Sequence, residues 1–398
     1  MKEILIVYDS MMTGGTTTAL LSLLNEIDYN KYSVDLLLFS NSGLFLNEIP
    51  KEVNVLKPAY VERKYAFLTC SKKKILLTLL NGNAIKSVIS YVKYQNTKKG
   101  NLRNILMHYG LKSQVTISRP VKKEYEVAIG FIEGWADQYV LSKKIKARKR
   151  IVWIHPDYKA SYLIPEIDKK ILKKASRVIL VSESCYKNFC EVLPEYSDIA
   201  LTIENITSEK LIKRRAEEET PPISRGRLNF CTIARCDMDV KGLDRSLNAF
   251  RKLKDEGFLD EVKWHYIGDG KDFERLKEMI DNYDLKDHVI CYGQRKNPLT
   301  YLKQMNYFLL PSRYEGKPVS VDEALVLNIP CIVTSYASAH EQVCNKVSGI
   351  IADNSEEGVY EAIKFVLLHE DLYVAFRNNI KNRLISNSGE IKKLYEII

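Results

Sequence analysis

The stretch PSRYEGKPVSVDEALVLNIPCIVT, residues 311–334, decides how the second half of the chain folds. An apolar run, YFLLP, leads into it, and a second one, PCIVT, follows an intervening helical pattern. Short apolar runs separated by a helix predict parallel strands joined by a crossover. Glu315 then falls in the loop at the carboxyl end of a strand, with Gly316 and Pro318 just behind it. Glu323 falls one to two turns into the helix that follows. Open α/β sheets bind their ligands at that edge. A carboxylate accepts several hydrogen bonds at once, so two of them there suit a partner rich in hydroxyl groups.

The same alternation extends through the rest of the chain. Before the quoted stretch, LNFCTIAR, VKWHYIGDG and HVICYG read as strands, with helices around LDRSLNAFRKLKDEG and FERLKEMIDNYD. In the first half ILIVYDS, SVDLLLFS, YEVAIGF, RIVWIHP and RVILVSE read as strands, while GGTTTALLSLLNEI and CYKNFCEVL read as helices. Between the halves, residues 205–228 lack apolar periodicity and hold Pro221, Pro222 and Gly226, which marks a linker. A chain of 398 residues exceeds the usual limit of one core. The expected division is a first α/β domain over 1–205, a linker over 206–227 and a second α/β domain over 228–371. An amphipathic, basic segment over 372–398 is expected to pack back on the first domain. Two such units in tandem make a cleft between them the natural place for an active site.

Charge is uneven. Residues 1–200 carry 31 Lys and Arg against 19 Asp and Glu, although the whole chain is only +10. From Val61 to Lys123 there are 14 basic residues and one acidic one, and KKIKARKR (Lys143–Arg150) forms a second cluster. Pro58–Ser118 reads as one or two long basic helices, with Ile75, Leu76, Leu79 and Leu80 on an apolar stripe. The plain reading of such runs is a solvated face. The sharper one is contact with an anionic surface, lipid headgroups or a phosphate-bearing acceptor. Nucleic acid is not expected, because no aromatic-interleaved basic motif accompanies the charge. The N-terminus lacks the form of a secretion signal, and no apolar run is long enough to span a bilayer. A cytoplasmic protein is expected, peripheral on the inner face of the membrane if the basic runs meet lipid. The eight cysteines show no metal-site spacing, so reduced core thiols are expected.

Several loops at strand ends carry candidate ligand groups. Gly14 and Gly15 follow the first strand and open a helix, where the backbone can approach an anion. They do not form a dinucleotide fingerprint. Arg235 and Lys241 flank the end of FCTIA and could clamp a diphosphate, Arg as a fork and Lys as a point charge. Gly268 and Gly270 end the next strand and would permit close approach; ordinary turn glycines look the same. His155 ends RIVWIHP, where it could donate to a sugar or phosphate oxygen, exchange a proton, or simply cap the turn. His340 and Glu341 begin a helix after PCIVT. Asp237 and Asp239 have the spacing of a metal-binding pair but are not well placed for one.

With these residues in view, the second half resembles the retaining glycosyltransferases of family 4, which build capsule, lipopolysaccharide and glycolipid. That resemblance implies the GT-B fold, two Rossmann-like domains facing across a cleft. Arg235 and the Lys241-Gly242 pair match the family's donor-diphosphate ligands. Glu315 and Glu323 match its glutamate pair with seven residues between. The first of these contacts the transferred sugar, helped by backbone groups of Gly316, Lys317, Pro318 and Val319, and the second contacts the ribose. Gly14 and Gly15 look like the loop beneath the donor phosphates, with Gly268 and Gly270 further along the same edge. His155 looks like the histidine near the sugar. By this resemblance His155, Arg235, Lys241 and Glu315 are the catalytic group. The chain departs from the family where Gly316-Lys317-Pro318 replaces Gly-Phe-Gly, and where SASAH replaces the usual glycines before Glu341.

The implied reaction moves a sugar from a nucleotide-diphosphate sugar, most simply a UDP-sugar, to a glycan or lipid-linked acceptor, without a metal or other cofactor. Weak self-association at most is expected. A sugar-nucleotide epimerase, an inverting transferase of the same fold and a non-catalytic lipid- or partner-binding subunit are the rivals. A nicotinamide oxidoreductase fits poorly for want of the glycine fingerprint.

Overall fold

The structure is a computed structural model that describes residues 1–59, 108, 111, 112, 115, 118–161, 163–219, 222–382, 387 and 389–398. The expected basic helices between Pro58 and Ser118 lie almost wholly outside these residues. The chain divides into two compact units. The first comprises Met1–Met12, Leu24–Ile203 and Ile391–Ile398; the second comprises Thr13–Leu23 and Glu204–Glu390.

The first unit is built on a seven-stranded sheet with the order β3-β2-β1-β4-β5-β6-β7. Its strands are β1 (Lys2–Tyr8), β2 (Tyr32–Leu38), β3 (Asn54–Val55), β4 (Glu124–Gly130), β5 (Lys146–Ile154), β6 (Arg177–Leu180) and β7 (Ala200–Thr202). All pairings are parallel. The second unit holds a six-stranded parallel sheet, β10-β9-β8-β11-β12-β13. These strands are β8 (Leu228–Ile233), β9 (Val262–Ile267), β10 (Val289–Cys291), β11 (Tyr307–Leu310), β12 (Cys331–Thr334) and β13 (Gly349–Ala352).

The apolar runs become strands buried on both faces, because a parallel sheet is covered by its own crossover helices. Along β11 the side chains alternate between two cores. Tyr307 and Leu309 pack with Phe250, Trp264 and Val366. Phe308 and Leu310 pack with Val321, Ala324 and Val333 on the other face. The helix Val319–Val326 therefore lies against the sheet with the 311–318 loop at its head, which fixes where Glu315 stands.

Three expectations need correction. The stretch 206–227 is not a bare linker: it holds the helix Glu209–Ala216, and Leu211, Ile212 and Ala216 are buried. The short strands β3, β7 and β13 were not anticipated; two or three apolar residues make too brief a run to separate a strand from a loop. Within 372–398, the helix Asp371–Lys381 belongs to the second unit, and only Ile391–Ile398 belongs to the first. There Tyr395 stacks on Tyr32 at 4.8 Å and its hydroxyl accepts from the Asp28 amide at 2.8 Å. Lys2 Nζ donates to the Ile398 carbonyl at 3.1 Å.

The second basic cluster is largely a structural feature of β5. Lys146 and Arg148 face Glu124 and Glu126 on the neighbouring strand at 3.8 and 3.3 Å. Arg150 donates to the carbonyls of Ser142 and Ile145. Among the described residues no helix is long and apolar enough to cross a membrane. The seven described cysteines are free thiols.

Close strand approach constrains one glycine in particular. Gly349 opens β13 with φ 157°, and an added Cβ would sit 2.0 Å from the Cys331 carbonyl oxygen. Replacing Gly349 by Ala is expected to destabilise the second unit by about 2 kcal/mol or more. Thermal unfolding followed by circular dichroism checks this, and an unchanged midpoint would contradict the packing described.

Candidate functional site

In the second sheet β8 lies between β9 and β11. Because all three are parallel, the loops after Ile233, Ile267 and Leu310 open at one edge. Those loops carry Arg235 and Lys241, Gly268 and Gly270, and Glu315.

Lys241 ends a short helix, Met238–Lys241, and Gly242 caps it in the left-handed conformation at φ 63°. A Cβ at Gly242 would lie 2.2 Å from the Pro311 carbonyl oxygen, so the chain here passes directly against the end of β11. That approach lets the Lys241 ammonium reach Glu315 Oε1 at 2.6 Å. Ser312 Oγ donates to the same oxygen at 2.6 Å. The Glu315 side chain is only 9% exposed. Lys241 and Glu315, taken from the sequence as ligands of different parts of a donor, are thus joined in one ion pair.

A second clamp holds the two loops in register. Arg313 donates to both carboxylate oxygens of Asp244, at 2.9 and 2.7 Å, and to the Met238 carbonyl. Its amide donates to the Val240 carbonyl at 2.8 Å. The fork geometry of a guanidinium suits such a bidentate contact. Sequence reading missed Arg313 and Ser312; their place two and three residues before Glu315 was the available signal.

Arg235 stands out at the surface, 69% exposed, with its guanidinium 3.9 Å from Asp237. The metal-like pair Asp237 and Asp239 holds a side-chain cation instead: Lys271 Nζ lies 3.0 and 2.9 Å from their carboxylates. Burial raises the Tyr314 phenol above its ordinary range. Asp237 and Asp239 push the same way, while Lys271 and Arg235 oppose them. These four charges therefore surround the residue just before Glu315. Among the described residues no group of three His, Cys, Asp or Glu could hold a metal ion.

The glycines divide into two kinds. Gly268 and Gly270 are required by the chain itself, since a Cβ at either would strike the carbonyl of Ala234 or Cys236, at 1.9 and 2.4 Å. Gly14 has nothing within 4 Å of an added Cβ, and at Gly15 the nearest atoms are those of Val319 at 3.8 Å. Both belong to the Thr13–Leu23 segment grouped with the second unit. Packing alone does not demand glycine at these two positions.

Lys317 turns inward. It is buried, and its ammonium pairs with Glu204 Oε1 at 2.6 Å. Asn387 Nδ2 donates to the other oxygen of Glu204 at 3.2 Å. Pro318 precedes the helix that starts at Val319, and its carbonyl accepts from Gln342 Nε2 at 3.0 Å. Gln342 Nε2 also donates to Asp322 Oδ1 at 2.8 Å. Glu323, just over one turn into this helix, is buried beside Asp322. Burial pushes Glu323 up to about 7, against the pull of Arg215 and with a further push from Asp322. It likewise pushes Asp322 up to about 6, against Lys317.

His155 belongs to the first unit, directly after β5. It is buried, and its Nε2 lies 2.9 Å from the Phe131 carbonyl. A carbonyl only accepts, so Nε2 carries the proton and Nδ1 is the bare nitrogen, buried without a partner among the described residues. Burial lowers its pKa to about 4, so the ring is neutral near pH 7. His340 and Glu341 lie in the short helix Ala339–Gln342.

Residues 213–383 match the family model described as glycosyl transferases group 1. This corrects the expected assignment to glycosyltransferase family 4. Of the features behind that assignment, Arg235 to Glu323 lie inside the matched stretch while Gly14, Gly15 and His155 lie outside it, and together they are too few to separate one glycosyltransferase family from another. An uncharacterised glycosyltransferase of Methanocaldococcus jannaschii is 26% identical over 186 residues, 47% of this chain and 44% of that protein. The chain thus spans less than half the length of this relative. The amylovoran biosynthesis glycosyltransferase of Erwinia amylovora is 32% identical over 149 residues, 35% of each chain. Among solved structures, an Anabaena protein in complex with UDP-glucose superposes with a TM-score of 0.63 at 14% identity, over 100% of both chains. At that identity the likeness establishes the fold, and the expected GT-B architecture of two Rossmann-like domains is the one this chain has.

The raised Glu323 carries a pH signature. In the unfolded chain it ionises near 4.5; between there and about 7 only the folded state keeps the proton. Stability therefore falls as pH rises through that window and levels off above it. Glu323→Gln is expected to remove a fall of roughly 3 kcal/mol, leaving the smaller share that Asp322 contributes with the same sign. Urea unfolding from about pH 5 to about pH 8 measures the slope; an identical slope in both proteins would refute the buried-carboxyl assignment.

Proposed function

We propose that the chain transfers a sugar, with retention of configuration, from a nucleotide-diphosphate sugar, UDP-linked, to a glycan or lipid-linked acceptor in cell-surface polysaccharide synthesis. The observation that carries this reading is the Lys241–Glu315 pair at the carboxyl edge of the second sheet. It sets a half-buried ammonium and a hydroxyl-accepting carboxylate side by side. A sugar diphosphate asks for both: cationic groups for the phosphates and acceptor oxygens for the sugar hydroxyls.

In this reading Lys241 and Arg235 take the diphosphate, together with the amides at Gly14 and Gly15, whose backbone leaves room for it. They stabilise the negative charge that builds as the bond from the anomeric carbon to the phosphate oxygen breaks. The acceptor oxygen bonds to the same carbon on the face the diphosphate leaves, and the acceptor proton passes to the departing phosphate oxygen. The products are the glycosylated acceptor and a nucleoside diphosphate. Glu315 aligns the sugar; with its Oε1 already engaged by Lys241 and Ser312, it is a poor base for activating an acceptor. His155, neutral near pH 7, is the remaining member of the proposed group. Glu323 receives the ribose. Side-chain cations take the part a metal would play, so the activity is expected to survive chelation. The matched relatives, glycosyltransferases among them one of amylovoran biosynthesis, support the reaction class and the cell-surface setting.

The test is binding and slow hydrolysis of a panel of nucleotide sugars by the purified protein, with and without EDTA. Lys241→Ala and Glu315→Gln are each expected to cost at least about tenfold in rate. Near-normal turnover in both would sink the site, and an inverted anomeric signal in the product's NMR spectrum would overturn retention. Interconversion of two nucleotide sugars without an acceptor would favour an epimerase.

A further inference from the structure

Lys271 stands outside the donor-binding group described above, yet two of the loops at that edge close on it. Gly268 and Gly270 let the loop after β9 pass against the carbonyls of Ala234 and Cys236, in the loop after β8. Backbone bonds then lace the two loops together. The Cys236 amide donates to the Asp269 carbonyl at 2.9 Å, and the Asp272 amide donates to the Cys236 carbonyl at 3.2 Å. Asp272 Oδ2 accepts from the Met238 amide at 2.8 Å. In sequence Lys271 falls between these ties, and its ammonium spans Asp237 Oδ1 and Asp239 Oδ2. The lysine is half-exposed, and ion pairs so open to water add little to stability. Its weight lies in the local field.

The charges at this edge suit an anion poorly. The two loops carry four aspartates, Asp237, Asp239, Asp269 and Asp272. Against them stand Arg235, Lys271 and Lys241, and Lys241 is already paired with Glu315. Asp237 is the critical member, because its side chain is only 15% exposed and both remaining cations flank it. Its Oδ1 lies 3.0 Å from Lys271, and its Oδ2 lies 3.9 Å from the Arg235 guanidinium. Lys271 thus holds the closer contact, and Arg235 stays beyond hydrogen-bonding distance of the carboxylate. Without Lys271, Arg235 is the nearest cation to Asp237. A guanidinium readily closes on a carboxylate. Arg235 would then be engaged, and phosphates arriving at the edge would meet carboxylates with one cation fewer to offset them.

We propose that Lys271 is a positioning residue for the donor diphosphate: by occupying Asp237 and Asp239 it leaves Arg235 free for the phosphates and offsets the two carboxylates they would otherwise meet. This rests on the donor reading given above and deepens it, since it names what keeps the phosphate side of that site open to an anion.

Binding of UDP, GDP and ADP to the wild-type protein is measured by calorimetry, and the tightest ligand is carried through the variants. Lys271→Met is expected to weaken its affinity about tenfold at low ionic strength, and distinctly less in about 0.5 M salt, where exposed charges are screened. Lys271→Arg, which keeps the charge, is expected to stay within about threefold of the wild type. Adding Asp237→Asn and Asp239→Asn to Lys271→Met is expected to restore most of the loss, because that pair then no longer competes for Arg235. Unchanged affinity in Lys271→Met, or a loss that the two asparagines fail to restore, would overturn the proposal while leaving the donor reading intact. The second of these results is what a lysine bound directly to phosphate would give. A wild-type protein that binds none of the three nucleotides would overturn both readings. Should Lys271→Met not fold, Asp239→Asn alone decides: binding tightened about threefold supports the assignment, and unchanged or weaker binding refutes it.

Discussion

The candidate site depends on a contact between two neighbouring strand ends. Because β8 and β11 lie side by side, the turn at Gly242 passes against the Pro311 carbonyl, and only a residue without a side chain fits there. The Lys241–Glu315 pair follows from that contact. Withdrawing two such charges from water costs several kcal/mol each, and their attraction offsets this only with good geometry and further hydrogen bonds. Ser312 provides the further bond, and the Arg313–Asp244 clamp provides the geometry. The pair is better understood as a placement device than as a source of stability.

The helix that follows shows the opposite balance. Lys317 is almost fully buried, yet it finds Glu204 at 2.6 Å. Asp322 and Glu323 have less: one gains Gln342 and the other only the field of Arg215, so burial prevails and both carboxyls are raised. Four ionisable side chains, all drawn from residues 315–323, thus lie in environments that differ chiefly in the partner supplied by another segment.

Much of this was legible in the sequence. Strand–helix alternation announced two parallel sheets, and the loops bearing Lys241, Gly268 and Glu315 do share an edge. What the sequence could not tell was pairing across long separations. Nothing local to Lys317 announces Glu204, and nothing near Asp237 announces Lys271. The helix Glu209–Ala216 escaped notice because its few apolar residues sit among charges; they are buried by the tertiary fold, which overrides weak local pattern. Arg313 gave no local sign of its role, which rests on Asp244, 69 positions away. The basic stretch after Pro58 was conspicuous in composition, but that alone assigns it no role.

One feature of the chain's division bears on how the protein is made. The first unit includes Ile391–Ile398, which seats Tyr395 on Tyr32 and brings Ile398 to Lys2. The second unit ends at Glu390. During synthesis domains ordinarily fold in the order in which they emerge. Here the second unit has all its residues before the first receives its final helix, so the unit begun first is the last to be completed. Until that helix arrives, Tyr32 lacks its stacking partner and the Asp28 amide lacks the Tyr395 hydroxyl.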